Sequence, residues 1–315
     1  MPSVQYMNKY INKFLLILFL AVFMSAGCSE SETPKKVSLY KRSGDISEQS
    51  RLPKQNTLWF GFDLRLGPKE EVTIYTPFLK YLEQKTGRRF RIKFTEKYED
   101  TVDNLGSGIT DFAAIGSLSF VLGKETYGIN NLVSGVNYEG DTTYRTMIIT
   151  KPNSGIDSIQ DIRGKCFAFG SEISTQGHLI PRKMLEDHSI TLDNLGRYIY
   201  TGSHLNAAMS VINGECDAAG IQDVLAKRLE SEEKVRILKR SGLFPSSLIA
   251  YNSAVDKETV KEIKAALLAF DPTGEHKEML VDWDKTEMPL GFTEINDTEF
   301  NRVKVLAEKY GLMKK

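Results

Sequence analysis

The segment Ser174-Thr175-Gln176-Gly177 combines the residue types that best hold a small anion. It follows an apolar run, KCFAFG, that is typical of a strand, and it begins a helix-like stretch. The first N–H groups of a helix have no intrahelical partner and lie at the positive end of its dipole. The hydroxyls of Ser174 and Thr175 add donors, and Gly177 allows a ligand to approach closely. The segment therefore predicts an oxyanion site, with a simple N-cap at Ser174 or Thr175 as the alternative.

Catalytic and metal-binding motifs are absent from the sequence. It contains no GxSxG elbow, no HExxH, no P-loop and no GxGxxG after a strand. Three of the four histidines, His178, His188 and His276, have no partner at the spacing of metal ligands. A hydrolase that pairs Ser174 with His204 is the alternative, and no motif supports it. We therefore expect no enzyme activity, no cofactor and no metal.

The charge balance argues against nucleic-acid binding. The chain contains 41 Lys and Arg residues against 41 Asp and Glu residues, so its formal net charge is zero. It has neither a basic excess nor a clustered Lys/Arg stripe, which are the marks of a nucleic-acid surface. An anion must therefore be attracted by local dipoles and hydroxyl groups.

The N-terminal residues predict export. An apolar run from Phe14 to Met24 follows Lys9 and Lys13. The run is long enough for the core of a signal peptide and too short to span a bilayer. We assign residues 1–27 to a signal peptide, with translation starting at Met1 or Met7.

A cysteine directly follows the predicted signal peptide. Ser25-Ala26-Gly27-Cys28 resembles a lipobox, at which bacteria attach diacylglycerol to the cysteine and cleave before it. Residues 28–56 are rich in Ser, Glu, Lys and Pro and contain too few apolar residues to fold alone. We expect a lipid on Cys28 and a flexible tether over 28–56, and cleavage without a lipid is the alternative.

The two remaining cysteines, Cys166 and Cys216, lie at the starts of predicted strands, KCFAFG and ECDAAGIQ. An exported protein permits a disulfide between them. Directly paired strand positions strain the geometry of such a bridge, which favours two buried free thiols. Both alternatives stay open at this point.

Strand and helix patterns alternate from residue 57 onward. TLWFGF over 57–62 predicts a strand, and the apolar spacing from Val72 to Leu82 predicts a helix that Gly87 ends. Strands over 90–95 and 112–116 complete a βαβαβ unit, and a similar unit recurs later in the chain. Ligands bind such sheets beyond the carboxyl ends of the strands. The corresponding loops begin at Asp63, Ser117, Gly170, Ser203 and Gln222.

Several long segments resemble the phosphate, phosphite and phosphonate solute-binding proteins of ABC transporters. They are TDFAAIGSLSFVLGKE, TTYRTMIITKPNSGIDSIQDIRGKCFAFGSEISTQGHLIPRKML and YTGSHLNAAMSVINGECDAAGIQDVL. The resemblance implies the type II periplasmic-binding-protein fold, an α/β fold with two lobes. Each lobe would be a mostly parallel sheet flanked by helices, and a two-segment hinge would join the lobes. We expect lobe 1 over 57–147 and 249–315, and lobe 2 over 148–248.

The resemblance also implies roles for residues in the second lobe. Ser174 and Thr175 match a Ser-Thr pair that binds phosphonate oxygens, and the amides of Gln176 and Gly177 would complete the cradle. His204 matches a histidine that approaches the oxyanion; its alternative is a surface position in the first turn of a helix. Asp223 matches an acidic residue that meets a ligand amine or hydroxyl; its alternative is a helix N-cap.

The first lobe departs from the family. Where many relatives have Tyr-Leu-Gly-Pro, this chain has Ala114-Ile115-Gly116-Ser117, which removes an aromatic ring from the pocket and supplies the Ser117 hydroxyl. Arg65 follows the first predicted strand, as a bidentate clamp on the anion or as a solvated surface residue. Tyr144 either replaces the missing ring or packs at the hinge.

The resemblance implies an extracytoplasmic solute-binding lipoprotein of an ABC importer. It would capture a phosphonate, phosphite or phosphate between two closing lobes and deliver it to a permease and ATPase complex. We expect a monomer that is attached to the membrane through the lipid on Cys28 and faces the periplasm or the cell exterior. Two alternatives are a ligand sensor coupled to a histidine kinase or chemoreceptor, and the binding of a different small anion.

Overall fold

The computed structural model describes residues 57–95, 97–295 and 297–313. The signal peptide predicted over 1–27, the lipid site at Cys28 and the tether predicted over 28–56 lie outside the described residues. Within the described part, no helix has the length and apolar character needed to cross a lipid bilayer.

Strands and helices alternate through most of the described chain. The strands are β1 (Thr57–Phe62), β2 (Arg89–Ile92), β3 (Phe112–Ile115), β4 (Asn130–Gly135), β5 (Thr143–Tyr144), β6 (Thr146–Thr150), β7 (Cys166–Phe169), β8 (Arg197–Tyr200), β9 (Ala218–Gln222), β10 (Arg236–Arg240), β11 (Phe244–Pro245), β12 (Leu248–Tyr251) and β13 (Phe292–Thr293). The α-helices are α1 (Pro68–Thr86), α2 (Tyr98–Gly106), α3 (Ser117–Tyr127), α4 (Ile180–Glu186), α5 (His204–Ile212), α6 (Asp223–Ser231), α7 (Lys257–Leu268) and α8 (Asn301–Lys309).

Local signals set the ends of these elements. The first helix, α1, begins with Pro68, whose missing N–H has no partner to lose at that position. It ends at Gly87, which has a φ of 68° and donates its N–H to the Glu83 carbonyl at 2.9 Å. The predicted strand over 57–62 and the predicted stop at Gly87 are both confirmed.

The strands form two main sheets. The first has the order β13-β4-β12-β3-β1-β2, and the second has the order β10-β6-β9-β7-β8. Their strands run in mixed directions, since β1 is parallel to β2 and β3, whereas β12 is antiparallel to β3 and β4. In the second sheet, β7 is parallel to β8 and β9, but β6 is antiparallel to β9 and β10.

The α/β fold class is confirmed, and most strands of each sheet run in one direction: four of six in the first sheet and four of five in the second, with β12, β13 and β6 reversed. Strand direction depends on where the chain re-enters a sheet. β6 and β12 both enter directly after the chain has crossed from the other sheet, and they run against the strands beside them. A helix-based crossover, which produces parallel pairs, precedes neither of them.

Two segments carry the chain between the sheets, and they pair with each other. In the first segment β5 forms an antiparallel ladder with β11 of the second, through Tyr144 opposite Phe244. The last helix, α8, adds a further connection. Its Lys309 Nζ lies 2.7 Å from a carboxylate oxygen of Glu186 in α4, and Arg302, near the start of α8, donates to the Leu243 carbonyl at 3.1 Å.

Cys166 and Cys216 are joined by a disulfide, and their Cα atoms lie 4.7 Å apart. The argument for two free thiols assumed directly paired strand positions. Cys216 instead precedes β9, and the residue opposite Cys166 is Asp217, whose N–H donates to the Cys166 carbonyl at 3.0 Å. The offset of one residue places the pair within the usual Cα separation of disulfides.

Candidate functional site

Loops from the two sheets meet at the carboxyl ends of the strands. The N–H of Leu118, at the start of α3, donates to Thr175 Oγ1 at 2.7 Å. The N–H of Leu205, at the start of α5, donates to the Arg65 carbonyl at 3.1 Å. Both bonds join a residue after a strand of one sheet to a residue after a strand of the other. We call this region, between the loops that follow β1, β3, β7, β8 and β9, the cleft.

The turn over Ser174 to Gly177 begins one wall of the cleft. Ser174 is the N-cap of a single π-helical turn, Thr175–Leu179, and its Oγ accepts the Gly177 N–H at 2.9 Å. The capping alternative is thus present in the structure. The Ser174 hydroxyl still has its own proton to donate, because it only accepts in this bond. Within the described residues, the amides of Thr175 and Gln176 have no hydrogen-bond acceptor.

Gly177 is needed for close packing at this turn. A Cβ at this position would lie 2.9 Å from Ser174 Oγ, 3.0 Å from Gly170 Cα and 3.1 Å from the Cε1 of His204. Real Cβ atoms do not approach other atoms so closely, so a larger residue would displace the turn. The contact also shows that the His204 ring lies against the turn.

His204 is the first residue of α5 and is buried. Ser203 caps the helix by accepting the Asn206 N–H at 3.1 Å. Burial and the nearby Arg65 guanidinium lower the pKa of His204 to about 3, so the ring is neutral at physiological pH. Its Nδ1 has no partner among the described residues. The alternative of a surface position for His204 is therefore wrong, because the cleft covers this end of α5.

Arg65 is also buried, and it lies at the centre of a charged cluster. Its Nε lies 3.1 Å from Glu287 Oε2, and its two terminal nitrogens donate to the Asp63 carbonyl and the Ser247 hydroxyl, each at 3.2 Å. Ser247 in turn donates to Glu287. The alternative of a solvated surface arginine is wrong, because the segment around Glu287 covers it.

Two further carboxyl groups belong to this cluster. Glu71 Oε1 accepts the backbone N–H groups of Arg65 and Leu66 at 2.8 and 3.0 Å. Asp63 Oδ2 accepts the Gly116 N–H at 2.9 Å and the Ser119 hydroxyl at 3.0 Å. Burial raises the pKa of each carboxyl group to about 7 despite the nearby guanidinium. One guanidinium therefore faces three buried carboxyl groups.

Ser117 and Tyr144 lie beside the hinge strands. Ser117 Oγ lies 2.6 Å from the Pro245 carbonyl, 3.1 Å from the Ser246 carbonyl and 3.2 Å from the Tyr144 hydroxyl. The single Ser117 proton is thus directed to the carbonyls of Pro245 and Ser246. Burial raises the pKa of Tyr144, and the nearby side chains of Ser117 and Thr175 oppose this increase. Tyr144 therefore lies both at the hinge and against the turn that begins at Ser174.

Asp223 lines a neighbouring cavity. Its carboxylate accepts the N–H groups of Val224 at 3.0 Å and Arg145 at 3.4 Å, and burial raises its pKa. Gln176 Nε2 donates to the Arg145 carbonyl at 2.9 Å. The cavity has a volume of about 330 Å³, and Tyr144, Lys227 and other polar residues line it with Asp223. Asp223 is the first residue of α6 and not its N-cap, which is Gln222.

Four buried polar atoms of the cleft have no partner among the described residues. They are Asp63 Oδ1, His204 Nδ1, Gln222 Oε1 and Glu287 Oε1. Buried polar groups in native proteins almost always have a partner. The atoms lie on residues that surround Arg65, and no cluster of three metal-binding side chains occurs in the described part of the chain. Three of these atoms are oxygens of carboxyl or amide groups, so a group that bonds them must bring donors.

A family model described as "ABC transporter, phosphonate, periplasmic substrate-binding protein" matches residues 60–300, which is most of the chain. The chain belongs to this phosphonate-binding family. Two curated proteins are similar to it. The "Phosphate-import protein PhnD" of Mycolicibacterium smegmatis is 22% identical and covers 76% of each chain. The "Phosphonates-binding periplasmic protein" of Escherichia coli is 24% identical and covers 77% of this chain and 75% of its own.

Solved structures of the phosphonate-binding family share the fold. PhnD1 from Prochlorococcus marinus, in complex with methylphosphonate, has a TM-score of 0.73 at 16% identity and covers 81% of this chain and 98% of its own. A binding-protein component of an ABC phosphonate transporter from Pseudomonas aeruginosa has a TM-score of 0.72 at 21% identity, and covers 79% and 85%. These matches confirm the type II periplasmic-binding-protein fold. The family is one of substrate-binding transport proteins.

The sequence patterns assign no ligand-binding role to four residues of the cleft: Asp63, Glu71, Gln222 and Glu287. Asp63 and Gln222 stand at strand ends, and the strand-end rule named them as the starts of ligand-facing loops without giving them a role. Glu287 lies in the segment TEMPLG, far along the chain from Arg65 and with no strand before it. No local pattern marks such a partner.

Proposed function

We propose that the protein is an extracytoplasmic solute-binding lipoprotein of an ABC importer and that it captures a phosphorus oxyanion in the cleft. The ligand would be a phosphonate, a phosphite or a phosphate. Residues 57–147 with 249–315 would form one lobe and residues 148–248 the other, and the lobes would close on the ligand by hinge motion. The monomer, held to the membrane by a lipid on Cys28, would present the ligand to a permease and ATPase pair.

One observation carries the proposal. The turn that begins at Ser174 presents two amides without acceptors, together with the hydroxyls of Ser174 and Thr175. It faces the start of α3, where the Leu118 N–H is also directed at Thr175. The turn and the start of α3 thus meet at Thr175, and the two amides of the turn with the Ser174 hydroxyl supply the donors that an oxyanion requires.

The family supports the chemical class of the ligand. Its description names phosphonate, and the curated relatives are named for phosphate import and for phosphonate binding. PhnD1, which has the same fold, was solved with methylphosphonate. The neutral His204 ring beside the turn would act as an uncharged donor, because its pKa lies far below physiological pH.

Binding is best tested by thermal shift and calorimetry with phosphate, phosphite, methylphosphonate, aminoethylphosphonate, sulfate and small carboxylates. A ligand that binds only the folded protein raises the melting temperature by mass action. We expect stabilisation by at least one phosphorus oxyanion. If none of them binds, the assigned ligand class is wrong, whatever the fold.

The role of the turn is tested by Thr175→Val. If the hydroxyl bonds the ligand, its loss should weaken binding by about 1–3 kcal/mol, and if it only accepts the Leu118 N–H, affinity should hardly change. Thr73→Val is the matched control, because Thr73 is exposed on α1 and donates only to the Lys69 carbonyl at 2.8 Å. Equal affinities of the two variants would contradict the proposed cradle.

The lipid on Cys28 needs a separate test. Cys28→Ser should release the mature protein from the membrane fraction, and mass spectrometry of the native N-terminus should find diacylglycerol on the cysteine. A water-soluble wild-type protein cleaved elsewhere would contradict the lipoprotein assignment and leave ligand binding unaffected.

A further inference from the structure

The strand β2, at the edge of the first sheet, has one apolar and one basic face. Its apolar side chains, Phe90 and Ile92, pack against the hydrophobic core. Successive side chains of a strand point to opposite faces, so the residues between them lie on the other side of the sheet. These residues are Arg89, Arg91 and, directly after the strand, Lys93, and all three are exposed. The outer face of β2 is therefore a row of three cations.

Neighbouring carboxylates do not neutralise this row. Within the described residues none of the three cations forms a salt bridge, whereas the preceding Arg88 pairs with Glu262 at 2.6 Å. A carboxylate of the same region, that of Asp111, accepts the backbone N–H of Trp59 at 2.7 Å. The face thus keeps its positive charge in a chain whose formal net charge is zero.

Trp59 of β1 adds an aromatic ring to the same face. It is the register partner of Arg91, whose guanidinium carbon lies 5.8 Å from the centroid of the ring. Farther along β1 the sheet is covered, since a Cβ on Gly61 would lie 3.5 Å from the Thr101 methyl group of α2. Trp59 itself is 36% exposed. We call the surface formed by Trp59 and the three cations of β2 the basic face.

The composition of the basic face is typical of a surface that contacts a membrane. Cations on an edge strand can also keep sheets from pairing edge to edge, but an exposed tryptophan works against that role. At a lipid interface both residue types have a use. Lys and Arg attract anionic headgroups, and the indole ring of tryptophan lies at the level of the headgroups.

The basic face lies where the chain enters the folded body from the predicted lipid anchor. Thr57, at the start of β1, is the register partner of Arg89. The tether predicted over 28–56 would span about 30 Å on average. It contains six Lys and Arg residues against four Asp and Glu residues, so an anionic surface does not repel it. A lipid on Cys28 would therefore keep the basic face within reach of the headgroups.

We propose that the basic face binds the anionic headgroups of a phospholipid membrane and thereby orients the tethered protein. The inference goes beyond ligand capture and shares with the proposed function only the attachment at Cys28. Trp59 lies in the first half of β1, whereas the cleft begins after Phe62, so the contact uses no residue of the cleft. Attraction to headgroups decreases within a Debye length. It orients a protein that the lipid already holds close, and it does not replace the lipid.

Vesicle binding tests the proposal without any contribution from the lipid. The protein is the mature chain, from position 28 onward, with Cys28→Ser. The probes are vesicles of phosphatidylcholine with about 30% phosphatidylglycerol and vesicles of phosphatidylcholine alone. At about 0.01 M salt we expect co-sedimentation with the anionic vesicles only, and binding should weaken several-fold at about 0.15 M salt.

Tryptophan fluorescence identifies the surface that makes the contact. The chain contains two tryptophans, and the second, Trp283, is buried. Insertion of the exposed Trp59 ring among headgroups should shift its emission to shorter wavelength, because the ring leaves water. Trp59→Phe should abolish this shift.

Two triple variants separate the basic face from the charge of the protein as a whole. The test variant replaces the cations of β2: Arg89→Gln, Arg91→Gln and Lys93→Gln. The control variant removes the same charge from exposed positions in or beside strands of the second sheet: Lys151→Gln, Lys165→Gln and Lys239→Gln. Each cation near an anionic surface strengthens binding by roughly fivefold, so the test variant should bind the anionic vesicles about 10-fold to 100-fold more weakly. The control variant should keep most of the wild-type binding.

Equal binding of the two triple variants would refute the proposal, because the tether or the overall charge would then account for the attraction. It would also be refuted by equal binding to both kinds of vesicle, or by no binding to the anionic vesicles at low salt. If urea denaturation shows that the test variant does not fold, the emission of Trp59 on wild-type binding decides the point. Oxyanion binding is measured without vesicles, so its failure would refute the proposed function and leave this inference standing.

Discussion

Asp63 should make the protein less stable as the pH rises toward neutral. Its usual pKa of 3.8 increases to about 7 in the folded protein because the carboxyl group is buried. Between these two values the folded state holds a proton that the unfolded state has lost. The contribution of Asp63 to the free energy of unfolding is therefore fully present below the lower value and lost as the pH rises through the higher one. This direction is opposite to that of a carboxylate in a surface salt bridge.

The size of the effect follows from the two values. A difference of about three units corresponds to roughly 4 kcal/mol, since one unit is worth about 1.36 kcal/mol. Asp63→Asn cannot titrate. The free energy of unfolding of the wild type minus that of Asp63→Asn should thus fall by up to this amount across the window, while all other carboxyl groups cancel in the difference.

Urea denaturation of both proteins, at intervals between about pH 4 and 8, measures this difference. Asp161→Asn is an informative control. Asp161 is exposed, and hydrogen bonds from Ser158 and Asp157 lower its pKa, so its stabilising contribution is lost as the pH falls. The reasoning would be refuted if the difference in the free energy of unfolding between the wild type and Asp63→Asn stayed constant or grew with pH. A growing difference would mean that Asp63 is held as an ionised partner of Arg65.

Two further predictions concern stability. Arg65→Met should cost about 3–5 kcal/mol, because it leaves Glu287 as an uncompensated buried charge, and adding Glu287→Leu should recover much of the loss. Arg88→Met, in a partly exposed ion pair, should cost less than about 1 kcal/mol, and similar losses for the two arginines in chemical denaturation would contradict the buried cluster. Replacing Cys166 and Cys216 together by Ser should lower stability by about 4 kcal/mol, since the bridge closes a loop with a sequence separation of 50. Dithiothreitol should destabilise the wild type to the same degree and leave the double variant unchanged, whereas a wild type that is insensitive to the reductant would argue against the bridge.

Much of the fold was predictable from local patterns. The strand over 57–62 and the helix that Gly87 ends each depend on residues that are neighbours in the chain. Within the stretch DSIQDIRGK the chain forms a 3-10 turn, Ile159–Ile162, and no α-helix. Ser158 caps this turn, and its hydroxyl donates to the Asp161 carboxylate. The backbone N–H groups at the start of the turn therefore have partners within the turn itself.

The candidate site was predictable in part. The rule that ligands lie beyond the carboxyl ends of strands indicated the loops that begin at Gly170, Ser203 and Gln222, and the family resemblance assigned roles to Ser174, His204 and Asp223 within or just after them. It said nothing about whether their side chains are buried, which separates a surface histidine from the neutral, buried ring of His204. The strand-end rule also could not distinguish the loop that contacts the turn at Thr175 from the loop at Asp223, which lines a neighbouring cavity.

The sequence by itself determined the family, the alternation of strands and helices, and the turn whose donors suit an anion, because these depend on residue types at short spacing. Only the tertiary structure decided the direction of the strands after each crossing, the offset of the two cysteines and the burial of Arg65 beside Glu287. These features depend on which distant segments come into contact. Burial then removes these charges and polar atoms from water, which sets the pKa values of Asp63, Glu71 and His204.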